Sequence, residues 1–148
     1  MIDIKTYLRC EDGSFIQVAD CKSLPTDPDY IEGAIELSVD GTLVIGKSEW
    51  DYVDQLWFYI SEMVRVMLEE GSSSTYFPDQ PIELSFQQEG GKIFISCEIE
   101  GKLKKFDVPE MDFLNALKNE GRIFFEKMSE ILPENSESYK SALRDLLS

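Results

Sequence analysis

Residues 82–108 read IELSFQQEGGKIFISCEIEGKLKKFDV. Ile82, Leu84 and Phe86 alternate with polar neighbours, and Ile93, Ile95 and Cys97 alternate against Phe94, Ser96 and Glu98, the period of half-buried strands. Glu89-Gly90-Gly91-Lys92 and Glu100-Gly101 interrupt the runs where tight turns belong. The stretch predicts three antiparallel strands in a meander. Lys102, Lys104 and Lys105 on the last strand suit an edge that must not pair with another chain. Strands that follow one another without intervening helices point to α+β rather than parallel βαβ winding.

The same pattern recurs towards the N-terminus. Ile2, Ile4, Thr6 and Leu8 alternate, Asp12-Gly13 turns, and Phe15 to Ala19 returns. Ala34, Ile35, Leu37 and Val39 predict a third strand, which Asp40-Gly41 folds into Thr42–Ile45. Residues 22–30, with Pro25 and Pro28, read as a loop.

Helical spacing appears between these runs. Trp50, Val53, Trp57, Ile60, Val64 and Met67 step by three and four, which predicts a helix over 48–70 capped by Ser48 and closed by Gly71. Residues 72–81 (SSSTYFPDQP) read as a long loop. Pro109 opens a second apolar helix with a weak point at Gly121, Pro133 ends it, and Ser136 or Ser138 caps a last one. The expectation is one α+β domain over 1–148, an antiparallel meander sheet packed by one long central helix and the C-terminal helices.

Charge bounds the function. The 148 residues carry 29 acids, 14 Lys and Arg and no His, a formal net charge of −15. Hydrophobic residues make up 43%, enough for a core despite that charge. An acid excess repels phosphate backbones and anionic bilayers, so neither direct nucleic-acid binding nor membrane association is expected. No apolar run approaches the roughly 20 residues of a membrane span, and the first residues lack the order of a signal peptide, so a cytoplasmic location is expected. A basic protein is the partner favoured by charge; plain solubility is the alternative meaning. The oligomeric state stays open.

Few residue groups suggest chemistry. The absence of His removes Ser-His and Cys-His nucleophile pairs and the usual zinc ligand. Cys10, Cys21 and Cys97 form no CxxC pair and read as reduced thiols. Asp51 and Asp54, three apart, are the best acid pair, and their position in a first helical turn explains them without catalysis. Asp27 and Asp29 flank Pro28 as ordinary turn residues, too few to cage a cation. Gly90-Gly91-Lys92 lacks the spacing of a phosphate loop. No enzyme activity, cofactor or metal is expected.

Trp50 and Trp57, seven apart, read as core, with a ligand-stacking pair as the alternative. Tyr76-Phe77-Pro78 follows a flexible serine run and serves either as an exposed anchor or as a plug in the core. From Glu11 to Glu62 twelve acids face only Lys22 and Lys47.

The stretch from Glu32-Gly33-Ala34-Ile35-Glu36-Leu37 through Trp50, Asp54, Trp57 and Phe77-Pro78-Asp79-Gln80-Pro81 to Gly121 and Phe124-Phe125 resembles small acidic bacterial immunity proteins of polymorphic toxin systems. The resemblance is one of overall style and carries over no residue role. It implies a cytoplasmic α+β protein that blocks a toxin by covering its active site.

The leading expectation is therefore a non-enzymatic binding protein that neutralises a basic toxin by mimicking phosphate with carboxylates. Asp27, Asp29, Tyr30, Glu32, Tyr76, Phe77 and Asp79 are the expected contacts. The alternatives are a small-ligand domain with its pocket between the sheet and the Trp50/Trp57 helix, and a homo-oligomeric adaptor.

Overall fold

The computed structural model describes residues 1–24 and 27–148; of the predicted 22–30 loop, Pro25 and Thr26 lie outside the described residues. The chain is α+β, with two antiparallel sheets among the described residues rather than the one expected. The first contains β1 (Ile2–Arg9), β2 (Phe15–Gln17), β3 (Glu32–Val39) and β4 (Thr42–Ile45) in the order β2-β1-β3-β4, and the two-residue β5 (Asp51–Tyr52) pairs with the start of β3. The second contains β6 (Ser72–Tyr76), β7 (Ile82–Glu89), β8 (Lys92–Ile99) and β9 (Lys102–Pro109) as a simple meander. Strand order is set by long-range pairing, which local periodicity does not encode.

Two long helices, not one, fill the space beside the sheets: α1 (Val53–Glu70) and α2 (Glu110–Ile131), with α3 (Ser136–Leu147) against both. Their shared core is aromatic. Trp57 stacks on Phe124 at 6.0 Å, and Phe58 stacks on Phe125 and Tyr139 at 5.8 and 5.7 Å. Phe86 of β7 meets Phe113 of α2 edge-on at 4.9 Å, joining the second sheet to the helices. Such pairs add about 0.5–1.5 kcal/mol each beyond the apolar area they bury.

Two boundaries differ from expectation. Ser48 is not the N-cap of α1. It lies in a 3-10 turn (Lys47–Glu49) whose Glu49 carboxylate reaches back to the Gly46 N–H at 2.9 Å, and the chain then makes β5 before α1 begins at Val53. The Val53 N–H donates to the Ile31 carbonyl at 2.9 Å, so a strand end takes the place of a side-chain cap. Residues 72–76, read as loop, form the edge strand β6; the Ser73 hydroxyl donates to the Met63 carbonyl at 2.7 Å and ties that edge to α1.

Gly121 does not weaken α2, which runs unbroken. A side chain there would place its Cβ 2.2 Å from Leu146 Cδ2, so the missing side chain is what lets α3 approach. Gly71 closes α1 as predicted, at φ 93° with its N–H on the Met67 carbonyl at 2.7 Å.

Candidate functional site

Asp51 organises the surface where the two sheets meet. Its side chain is buried, and it accepts the backbone N–H of Tyr52 at 2.7 Å on one oxygen and those of Asp79 and Gln80 at 3.1 and 3.0 Å on the other. Gln80 returns the contact by donating its side-chain amide to the Trp50 carbonyl. Three backbone donors satisfy the buried carboxylate. Here it fixes the 77–81 turn against β5.

The cleft so formed has a volume of about 360 Å³ and is lined by Glu32, Ser48, Trp50, Asp51, Tyr52, Asp79 and Gln80. Tyr30 stands on its rim, 5.8 Å from the Tyr52 ring, and is 58% exposed. The Tyr52 hydroxyl resists ionisation, first through desolvation and then through the negative charges of Asp79 and Glu32. Arg9 enters from β1: its guanidinium lies 4.2 Å from the Trp50 ring centroid and 3.1 Å from Glu32 Oε1. Glu32 thus has an ion-pair partner, while Asp79 is exposed and makes no ion pair among the described residues.

Across the turn lies a second depression of about 320 Å³, lined by Tyr76, Pro81, Glu83, Glu98, Glu100 and Gly101. Tyr76 is 62% exposed and pairs in register with Glu83, which pairs in turn with Glu98. All three side chains leave the outer face of the sheet. Like charges directly opposite one another destabilise a strand pair. Lys105, opposite Ser96, is the cation next along that face.

Glu32, Asp79, Tyr30 and Tyr76 therefore gather on one stretch of surface around the 77–81 turn. Asp27 and Asp29 are exposed but line neither depression; the Asp27 carboxylate accepts the Asp29 N–H at 2.9 Å and shapes its own turn. Phe77 is a correction: it is 4% exposed and belongs to the core, so it offers no contact. The Trp pair is a correction too. Trp57 is fully buried on α1, its indole N–H donating to Thr6 Oγ1 at 3.2 Å, whereas Trp50 lies outside the helix in the cleft, which Trp57 does not line. Sequence reading missed Trp50, Tyr52, Asp51 and Gln80 as a group. The only signal was the acid at 51, read as a helix-start residue.

Chemistry elsewhere is sparse. Asp51 and Asp54 do not converge: Asp54 accepts from the Tyr139 hydroxyl at 3.3 Å on the far side of the α1 start. Burial pushes the Asp54 carboxyl up, and it pushes the Tyr139 hydroxyl up to about 12. The three thiols are free, and burial pushes Cys97 up to about 11, away from reactive thiolate. Among the described residues no three His, Cys, Asp or Glu side chains group as metal ligands, and no helix is long and apolar enough to cross a membrane. No protein-family model, curated protein or solved structure matches the chain.

Proposed function

We propose that the protein is a non-enzymatic binding module that engages a basic protein through the surface around the 77–81 turn. The observation that carries this reading is the outward Glu83–Glu98 pair beside the exposed Tyr76, continued across the turn by Asp79 and Glu32. An arrangement that repels itself in the free protein is relieved by a cationic partner, and flanking tyrosines supply contact area at low entropic cost. In the narrower form of the proposal the partner is a toxin nuclease whose cationic groove is filled by these carboxylates, in the cytoplasm of a bacterium. The net charge of −15 supports the same choice of partner through long-range steering.

Capture from native cell extract tests it, with the wild-type protein and a Tyr76→Ala/Asp79→Asn/Glu83→Gln/Glu98→Gln variant as parallel baits. The expected result is a basic protein retained by the wild type, weakened by salt and lost by the variant. Equal capture by both baits, or none by either, overturns the proposal.

A further inference from the structure

The first strand has an edge that is only half used. The Asp40 N–H donates to the Met1 carbonyl at 2.7 Å, which sets Met1 and Asp40 as a hydrogen-bonded pair of the β1–β3 ladder. Antiparallel pairing alternates, so Asp3, Lys5 and Tyr7 also bond towards β3, whereas Ile2, Ile4, Thr6 and Leu8 turn their backbone groups to the opposite edge. There β2 pairs only with Tyr7, Leu8 and Arg9. The Glu120 carboxylate of α2 lies beside Thr6, whose backbone and side chain favour its charged form. Among the described residues no strand pairs with this edge at Ile2 or Ile4.

An open groove of about 670 Å³ runs along that free edge. One wall is Met1 to Ile4; the other is a single face of α2 made by Asp112, Asn115, Ala116, Asn119 and Glu120. The two asparagines are exposed and offer amide groups to a backbone, and the half-buried Ala116 leaves room between them. Asp3, Asp112 and Glu120 give the groove a negative rim, with Lys5 the nearer of the two cations along the same strand. Burial holds the Glu120 carboxyl above its ordinary range, with a further upward push from Asp3 and an opposing one from Lys5.

We propose that this groove receives an extended basic segment of a partner protein, added to β1 as a further strand at Ile2 and Ile4. Strand addition supplies main-chain hydrogen bonds to an edge that lacks them, and alternate side chains of the guest meet the acids of the rim. Pairing with the same edge of a second copy is disfavoured, because it sets Asp3, Asp112 and Glu120 against themselves and joins two chains of net charge −15. The proposal is independent of the surface around the 77–81 turn.

The probe is an acetylated, amidated heptapeptide alternating lysine and valine, read by anisotropy and by amide exchange of Ile2 and Ile4 in the full chain. Saturating peptide is expected to slow exchange at both amides by about tenfold or more. The same peptide N-methylated at alternate residues is expected not to bind, and Ala116→Arg, which fills the groove and offsets one of its acids, is expected to abolish protection while the melting temperature holds. Asp79→Asn is expected to leave the peptide's protection of the Ile2 and Ile4 amides unchanged. Unchanged exchange at Ile2 and Ile4, equal binding of the N-methylated peptide, or protection that depends on protein concentration instead of peptide overturns the proposal.

Discussion

The buried carboxylate of Asp51, in the first sheet, receives the backbone N–H groups of Asp79 and Gln80, which lie in the turn between β6 and β7 of the second. Replacing it with alanine strands two or three donors in a half-buried place. Asp51→Ala is expected to cost about 2–4 kcal/mol, and Asp51→Asn less, because an amide oxygen still accepts. Urea unfolding measures both. A loss below about 0.5 kcal/mol for the alanine variant would show that water replaces the carboxylate freely.

Gly121 and Leu146 define how closely α3 packs on α2. A methyl at 121 meets Leu146 Cδ2 at 2.2 Å and Trp57 Cζ3 at 3.3 Å, and Leu146 is fully buried with no solvent to swing into. Overpacking of this kind costs about 1–3 kcal/mol, against a helix-propensity gain of about 1 kcal/mol. Gly121→Ala is expected to destabilise on balance, and Leu146→Ala in the same chain to cost less than the sum of the two. Strict additivity would place the clash elsewhere.

Asp54 makes a prediction about pH. Burial raises its carboxyl above the ordinary value of 3.8, so the folded chain binds this proton more tightly than the unfolded one. Stability from this group is therefore highest in acid and falls as pH rises from about 4 through the raised value. Asp54→Asn keeps an acceptor for Tyr139 and removes the titration. The difference in unfolding free energy between the two proteins is expected to move in the variant's favour across that window. A difference that stays constant from about pH 4 to 7 would sink the assignment.

Thr6 joins a buried indole to the sheet. Its Oγ1 accepts from Trp57. Thr6→Val leaves the indole N–H unpaired and is expected to cost about 1–3 kcal/mol. Thr6→Ser retains the oxygen and is expected to recover most of it. Equal losses for the two would mean that the methyl, not the hydroxyl, matters.

The Glu83–Glu98 pair links stability to the proposed role. Glu83→Gln relieves the repulsion and is expected to stabilise the free protein by about 0.2–1 kcal/mol while weakening capture of the basic partner. Stabilisation without weaker capture would detach the pair from binding.

The parts of the fold visible in the sequence are those decided locally. The 82–108 meander was legible because Ile82, Leu84 and Phe86 alternate cleanly and positive-φ glycines at 90, 91 and 101 mark its turns. The 72–76 strand was not, because a serine run carries no apolar alternation; it is held as a strand by pairing with β7 and by the Ser73 bond to α1. The start of α1 was misplaced by five residues, since Ser48 and Glu49 resemble a cap while Glu49 in fact closes a separate turn. That shift carried Trp50 out of the helix and into the cleft. The gathering of Glu32, Tyr30, Tyr76 and Asp79 depends on Asp51 reaching a turn 28 residues away, a relationship no local pattern contains.

The position of Trp50 gives the cleft a built-in optical reporter. Its ring is half-exposed beneath the Arg9 guanidinium, whereas Trp57 is sealed in the core. Any guest that draws Arg9 or Glu32 away changes the surroundings of one fluorophore and leaves the other as a constant background. Occupancy of this surface is thus readable from intrinsic emission, without a label and before the guest has been identified.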